Sequence, residues 1–229
     1  MNAAELFPFR VCASLPARSD RRERLIPQLA EVGLPSRWIK PVPVAAIHDN
    51  RGFRNARKRS CALTKRLAIR LAQRAGAPSL LYFEDDLVFH PHFLDRLAAL
   101  TLPDDWGIFY LGCLHCEQPD PVTPGLVRVR RAFDFHACVI RAPHYLAARR
   151  AMRGGPRGAA PHFHSDVLFS ALHKSIPTYA AFPNLVWQSV GHSDLTGSRY
   201  SNYQPDGSQR PFRHVVAPLS AAAELTCAR

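Results

Sequence analysis

Long apolar runs are missing from this 229-residue chain. No stretch approaches the roughly 18 uninterrupted apolar residues of a membrane span. The N-terminus, MNAAELFPFRVCASLP, carries Arg10 where a signal peptide would have its apolar centre, which predicts a cytoplasmic protein. Acids are also scarce: 18 Asp and Glu against 30 Lys and Arg leave a net charge of +12. That excess favours an anionic partner, whether nucleotide, nucleic acid, phosphorylated glycan or acidic membrane. Arg far outnumbers Lys, which a GC-rich genome produces as readily as selection for phosphate, so charge alone does not choose among them. The six cysteines mostly sit in apolar stretches, as small buried hydrophobes do, and suggest no disulfide framework. Cys113-Leu-His-Cys116 has zinc-like spacing, but no second CxxC or HxxxH pair completes a tetrahedral site. Internal repeats and a convincing interdomain linker are absent too. One domain over residues 1–229 is expected, its 47% apolar content sufficient for a core.

What is present is an alternation. FRVCASL (9–15) reads as a strand ended by Pro16, and Leu25, Leu29 and Val32 share a helical face before Gly33, with Pro27 either in the first turn or bending that helix. WIKPVPVAAIHD reads as extended, because its prolines forbid a helix. Ser60 is placed to cap a helix bearing Leu63, Leu67 and Leu71, after which SLLYF returns as a strand. Phe93, Leu94, Leu97 and Leu100 mark another helix, and WGIFYLG another strand. Strands alternating with helices through residue 112 predict an α/β fold: a mostly parallel central sheet with helices on both faces. Further on, LVRVRRAF and FHACVI read as strands, PHYLAARRAM and HSDVLFSALHK as helices, and YAAFP and LVWQSV as strands. RGGPRGAAP (153–161) is a loop. The domain thus divides into a nucleotide-binding half (1–112), an acceptor-side half (113–197) and a polar C-terminal tail or lid (198–229).

The departure from the basic background is LLYFEDDLVF (80–89). In open α/β sheets ligands gather beyond the carboxyl ends of strands, where Glu84, Asp85 and Asp86 fall. Three adjacent carboxylates repel one another unless a cation intervenes, and a hard ion such as Mn2+ or Mg2+ takes oxygen ligands and bridges phosphates. Along an extended segment Glu84 and Asp86 project together and Asp85 points away. The competing reading is an acidic turn leading into the next helix.

Six segments, in order, resemble glycosyltransferase family 25, the lipopolysaccharide-type sugar transferases related to collagen galactosyltransferases. They are VCASLPARSDRRERL (11–25), SCALTKRLAIRLA (60–72), LLYFEDDLVF, WGIFYLG (106–112), and the weaker pair FHACVIRAPHYLAARRAM with FPNLVWQSVGHSDLTG. The similarity spans roughly residues 9–197. Thr64 and Lys65 stand where that family usually has Ser and His, and Ser60 replaces a Gly, as in a divergent member.

The resemblance implies a GT-A-like fold and a metal-dependent transfer of a sugar, galactose being one candidate, from a UDP-sugar to a hydroxyl acceptor with inversion. Asp86 is implied as the direct metal contact, with Glu84 beside it and Asp85 helping to hold the metal or the ribose. His192, after an apolar strand in the matching place, is a further ligand, with Asp194 a weaker candidate. Asp166, opening a helix after the Gly-rich loop, is implied as the base; the alternative is a helix-start acid satisfied by backbone N–H groups. His162 and His164 are placed either to bind acceptor or simply to line the surface. Leu15, Pro16 and Arg18 belong with the nucleotide, Arg18 or Arg21 with phosphate, and Thr64 and Lys65 alongside. The acceptor is a saccharide, a lipid-linked saccharide or a peptide; no nucleic acid is expected. The basic surface suits peripheral contact with an anionic membrane at its inner face. Two rival readings are a non-catalytic module that binds nucleotide sugars, and a metal-dependent phosphoesterase. The second fares worse, since only one acidic cluster is evident.

Overall fold

The computed structural model describes residues 6–156, 164–189, 191–192, 199–200, 203 and 207–208, with His192, Arg199 and Tyr200 described by their backbone alone. Strand β1 (Phe9–Ala13) leads through helix α1 (Ser19–Glu31) to a short β2 (Arg37–Ile39). Helix α2 (Ala56–Arg74) precedes β3 (Ser79–Glu84), and the chain turns at once into β4 (Leu87–Phe89) and helix α3 (Phe93–Ala98). Then come β5 (Ile108–His115), β6 (Asp120–Thr123), β7 (Leu126–Arg128) and the long β8 (Ala132–Arg141). Helices α4 (Tyr145–Ala151) and α5 (Ser165–Ser170) lead to β9 (Thr178–Ala181), β10 (Val186–Gln188), β11 (Gly191–His192) and β12 (Arg199–Tyr200).

Eight strands form one sheet in the order β2-β1-β3-β8-β5-β9-β7-β6. Six run in one sense, with β8 and β7 against them. The sheet is therefore mostly parallel in direction, as the alternation of strands and helices predicts, yet its centre is mixed. Strand β8 inserts between β3 and β5 and pairs antiparallel with both. Strand β8, which follows residue 112 in the chain, thus lies between β3 and β5 of the same sheet.

Successive side chains of a strand point to opposite faces, and here both faces are buried. Val11, Tyr82, Tyr110 and Cys138 face Ala62, Ile69, Tyr145 and Phe169 of α2, α4 and α5. Their neighbours Cys12, Phe83, Phe109 and Val139 face Leu25, Leu29, Phe93 and Leu97 of α1 and α3. Helices on both sides exclude water from a central sheet whose strands are mostly apolar.

Two local expectations are corrected and one is narrowed. The cap of α2 is Asn55, whose side chain accepts from the Lys58 N–H at 2.9 Å, so the helix begins a turn earlier than a Ser60 cap would allow. Ser60 instead lies buried within the helix and donates to the Val42 carbonyl. Pro27 sits in the interior of α1 on its exposed side, where the lost N–H leaves an acceptor that water can satisfy. LVRVRRAF is two strands rather than one, since β7 ends at Arg128 and β8 starts at Ala132.

Strand β4 leaves the main sheet and pairs antiparallel with β10, so that Leu87 lies opposite Gln188. Beneath that ribbon Gly112 of β5 lets the chain pass closely: a Cβ there would stand 1.7 Å from the Val186 carbonyl oxygen. This small ribbon brings the end of β10 to the acidic bend.

Candidate active site

Glu84 ends β3, and Asp85 and Asp86 form the bend into β4. The three acids therefore sit at the carboxyl edge of the sheet, beside the end of β1, with which β3 pairs in parallel. A cavity of about 470 Å³ opens there. Its floor is Ala13, Tyr82 and the three acids, one wall is Ser60, Cys61 and Thr64 of α2, and Leu15, Pro41, Val44, Arg21, Arg57 and Gln188 complete the lining.

The acids do not share one environment. Asp85 is buried and accepts from Arg21 Nη1 at 2.9 Å, so a guanidinium from α1 neutralises it. The same nitrogen lies 3.4 Å from Asp86 Oδ2. Glu84 and Asp86 both accept from the Nε2 of Gln188, at 3.2 and 3.4 Å, which holds the two carboxylates side by side at the cavity. Burial, then the neighbouring Glu84 charge, push the Asp86 carboxyl up to about 7 against the opposing pull of Arg21. At neutral pH that proton is easily displaced.

Behind Glu84 lies a second charge system. Lys65 is 2% exposed, and its ammonium stands 3.4 Å from Glu84 Oε1 and 3.0 Å from Asp166 Oδ1. It also donates to the Ser165 hydroxyl at 3.3 Å and lies 5.0 Å from the centre of the Phe135 ring. Burial disfavours its charge, but Asp166 above all keeps it protonated, well above the usual lysine range. Burial would likewise lift Asp166, yet Lys65, with the bonds from Ser165 and Lys65, holds its carboxyl below the usual range. Asp166 Oδ1 takes both of these bonds, leaving Oδ2 without a partner among the described residues. One ammonium therefore bridges the acidic bend and the first turn of α5.

The residues singled out from the sequence are placed as follows. Leu15 and Thr64 line the cavity with Glu84, Asp85 and Asp86. The Thr64 hydroxyl is spent on the backbone, accepting from Val42 N and donating to Ser60 O. Pro16 is exposed and its carbonyl accepts from Arg22. Arg18 stands outside the lining, paired with the exposed Asp20 at 2.9 Å, while Arg21 is the arginine that reaches the acids. Lys65 is turned inward to Glu84 and Asp166 rather than outward to solvent. His164 precedes α5 and is partly buried. The backbone of His192 pairs with Arg199; its side chain, Asp194 and His162 lie outside the described residues, as does most of 198–229. Cys113 and Cys116 are free thiols, the former buried 3.6 Å from His115 Nε2.

Gln188, Arg57 and Ser165 were not legible as site residues. Gln188 carried one usable signal, a polar residue closing the apolar run LVW just as Glu84 closes LLYF.

Among the described residues no group of three His, Cys, Asp or Glu side chains could hold a metal ion. The donor chemistry nevertheless fits a hard cation. Glu84 and Asp86 are the pair that would hold it, since the raised proton affinity of Asp86 marks negative charge that Arg21 does not fully offset.

No protein-family model and no curated protein matches the sequence. Solved structures with a similar chain path include a protein from STIV (TM-score 0.47, 12% identity, covering 80% of this chain and 85% of that one). Another is a glycosyltransferase involved in glycosylation of the major capsid of PBCV-1 (0.41, 8%, 76% and 92%). A third is a Drosophila beta-1,4-galactosyltransferase 7 mutant in complex with manganese, UDP-Gal and xylobiose (0.43, 12%, 78% and 68%). At 8 to 12% identity these likenesses concern the path of the chain and leave its chemistry to its own residues.

Proposed function

We propose that this protein is a metal-dependent glycosyltransferase of the GT-A type, akin to family 25, that moves a sugar from a UDP-sugar to a hydroxyl acceptor with inversion. The observation that carries this reading is the pair Glu84 and Asp86, held together by Gln188 at a cavity of about 470 Å³, a volume suited to a nucleotide-sized ligand. In this scheme Leu15, Pro41 and Val44 contact the base, and Arg57 neutralises phosphate. Glu84 and Asp86 hold Mn2+ or Mg2+, with the side chain of His192 as a further ligand. When bound, the ion offsets charge on the departing diphosphate. Asp166 receives the acceptor proton at Oδ2 while Lys65 and Ser165 fix Oδ1. The acceptor is a saccharide, a lipid-linked saccharide or a peptide, met in the cytoplasm. No helix among the described residues is long and apolar enough to cross a membrane.

One observation favours a rival, a module that binds a nucleotide sugar without turning it over: Lys65 holds Asp166 low, and a carboxylate held low is a weak base. A thermal-shift panel of nucleotide sugars with and without Mn2+, joined to an assay of donor consumption, tests both. Stabilisation by a UDP-sugar should require the metal, vanish with EDTA and in Asp86→Asn, and strengthen as pH rises through about 7, where Asp86 sheds its proton. Donor affinity indifferent to chelator sinks the metal-dependent reading; tight binding without turnover selects the binding module.

A further inference from the structure

The residues of α2 divide by angle around the helix. Arg57, Ser60, Cys61 and Thr64 face the cavity, and Ala62, Ala68, Ile69 and Ala72 face the core. Arg59, Arg66 and Gln73 form a third stripe, roughly half a turn away from the cavity side. Helix α4 packs against α2, and its Arg149 donates to the Gln73 side chain at 2.8 Å. Arg153 follows just after α4. Arg51 is tied to the same region by a reciprocal pair with Gly155, its Nε donating to the Gly155 carbonyl at 3.0 Å while its own carbonyl accepts at 2.9 Å.

Arginines are thus gathered from three segments with little to neutralise them. Arg59 Nη1, Arg66 Nε and Arg149 Nε are out of contact with solvent and have no hydrogen-bond acceptor among the described residues. Burial, then the charges of Arg149, Arg153, Arg59 and Arg51, lower the pKa of Arg66, and no carboxylate opposes them. Arg59 is lowered by burial, with Asp49 as the one opposing acid and Arg51 adding to the strain. Asp49 Oδ1 accepts from the Arg51 N–H, while its Oδ2 is buried without a partner among the described residues. Desolvated guanidinium N–H groups without acceptors are costly, and like charges at close quarters add to that cost. An anion with several oxygens offsets the like charges, and the planar fork of arginine matches phosphate bidentately.

We propose that Arg59, Arg66, Arg149 and Arg153, set between α2 and the end of α4, form a second anion site, separate from the cavity, that takes a dianionic phosphate group. The site stands independently of the transferase reading. A phosphate carried by a soluble ligand and the phosphate of a lipid headgroup share this chemistry, and the test separates them.

Thermal unfolding is followed in sodium phosphate and in sodium chloride at equal ionic strength, for wild type, Arg66→Gln/Arg149→Gln and the distant control Arg37→Gln. Wild type and control should gain roughly 2–4 °C in phosphate over chloride at saturation. The double variant should lose that gain, and in chloride should melt no lower than wild type, because repulsion has been relieved. Co-sedimentation with phosphatidic acid vesicles, competed by inorganic phosphate and lost in the double variant, assigns the phosphate to a lipid; phosphate stabilisation without vesicle binding assigns it to a soluble ligand. Equal melting in the two salts, or an equal phosphate gain in the double variant, overturns the proposal.

Discussion

Replacing Lys65 with Met removes the cation that pairs with both Glu84 and Asp166 while keeping the length of the side chain. Removing one partner of a buried ion pair costs about 3–5 kcal/mol, because the other charge is left unpaired. The side chains of Glu84 and Asp166 are 22% and 30% exposed, so water recovers part of this, and about 2–3 kcal/mol is expected at pH 7.5. For a chain of this length that lowers Tm by roughly 5–10 °C. The pH dependence makes the test specific. In wild type the Asp166 carboxyl is held low, so its contribution is present above the unfolded carboxylate pKa of about 3.9 and is lost only as pH falls through the lower folded value. In Lys65→Met burial acts on Asp166 against the Ser165 bond and the Lys58 charge without the larger pull of Lys65, and lifts it. A raised carboxyl is least costly when protonated, so the variant recovers as pH falls. The gap to wild type should narrow to roughly 1 kcal/mol near pH 4.5, the residue of lost hydrogen bonds. Urea unfolding at half-unit steps from pH 4.5 to 8 reads this difference directly, and groups that titrate alike in both proteins cancel. Lys65→Met/Asp166→Asn, which removes both charges, should be more stable than Lys65→Met alone at pH 7.5. A gap constant with pH, or a double variant no better than the single one, would refute the reasoning.

The remaining expectations concern the frame around the site. Gly112→Ala should lose about 3 kcal/mol or more, since the new methyl meets the Val186 backbone oxygen and must displace β10. Because β10 carries Gln188, stabilisation by nucleotide should weaken in the same variant; an unchanged Tm would show that the two strands separate freely. Burial holds His115 down at about 4 and His173 at about 3, so between pH 6.5 and 4 the unfolded chain takes up protons that the folded protein refuses. Stability therefore falls on acidification, by roughly 3 kcal/mol at His115 by pH 4. His115→Phe, which retains the edge contact with Phe182, should flatten that limb of the curve in chemical unfolding; an unchanged acid limb would contradict the assignment.

Much of the frame was legible along the chain. The apolar runs LLYF, IFYL and ACVI became central strands, and the spacings of Leu25 and Leu29 and of Phe93 and Leu97 became the inward faces of α1 and α3. Three acids following a buried strand pointed to the carboxyl edge of a sheet, where a cavity does lie. The start of α2 was misread because Ser60 and Asn55 are both good caps, and only the contact of Ser60 with Val42 draws it inside the helix. The antiparallel insertion of β8 left no trace in the pattern: an apolar strand buried on both faces reads alike in either direction.

Sequence alone therefore determined the kind of most elements, the buried sides of α1 and α3, and where carboxylates would meet a strand end, because these depend on neighbours within a few residues. Strand order was decided in three dimensions, and with it every pairing across the site. Lys65 meets Asp166 across 101 residues of chain, Gln188 meets Glu84 across 104, and Arg21 meets Asp85 across 64. Those contacts set which acid is neutralised, which holds a loose proton and which is kept ionised. They arise from packing and desolvation of groups remote in sequence, which no periodicity encodes.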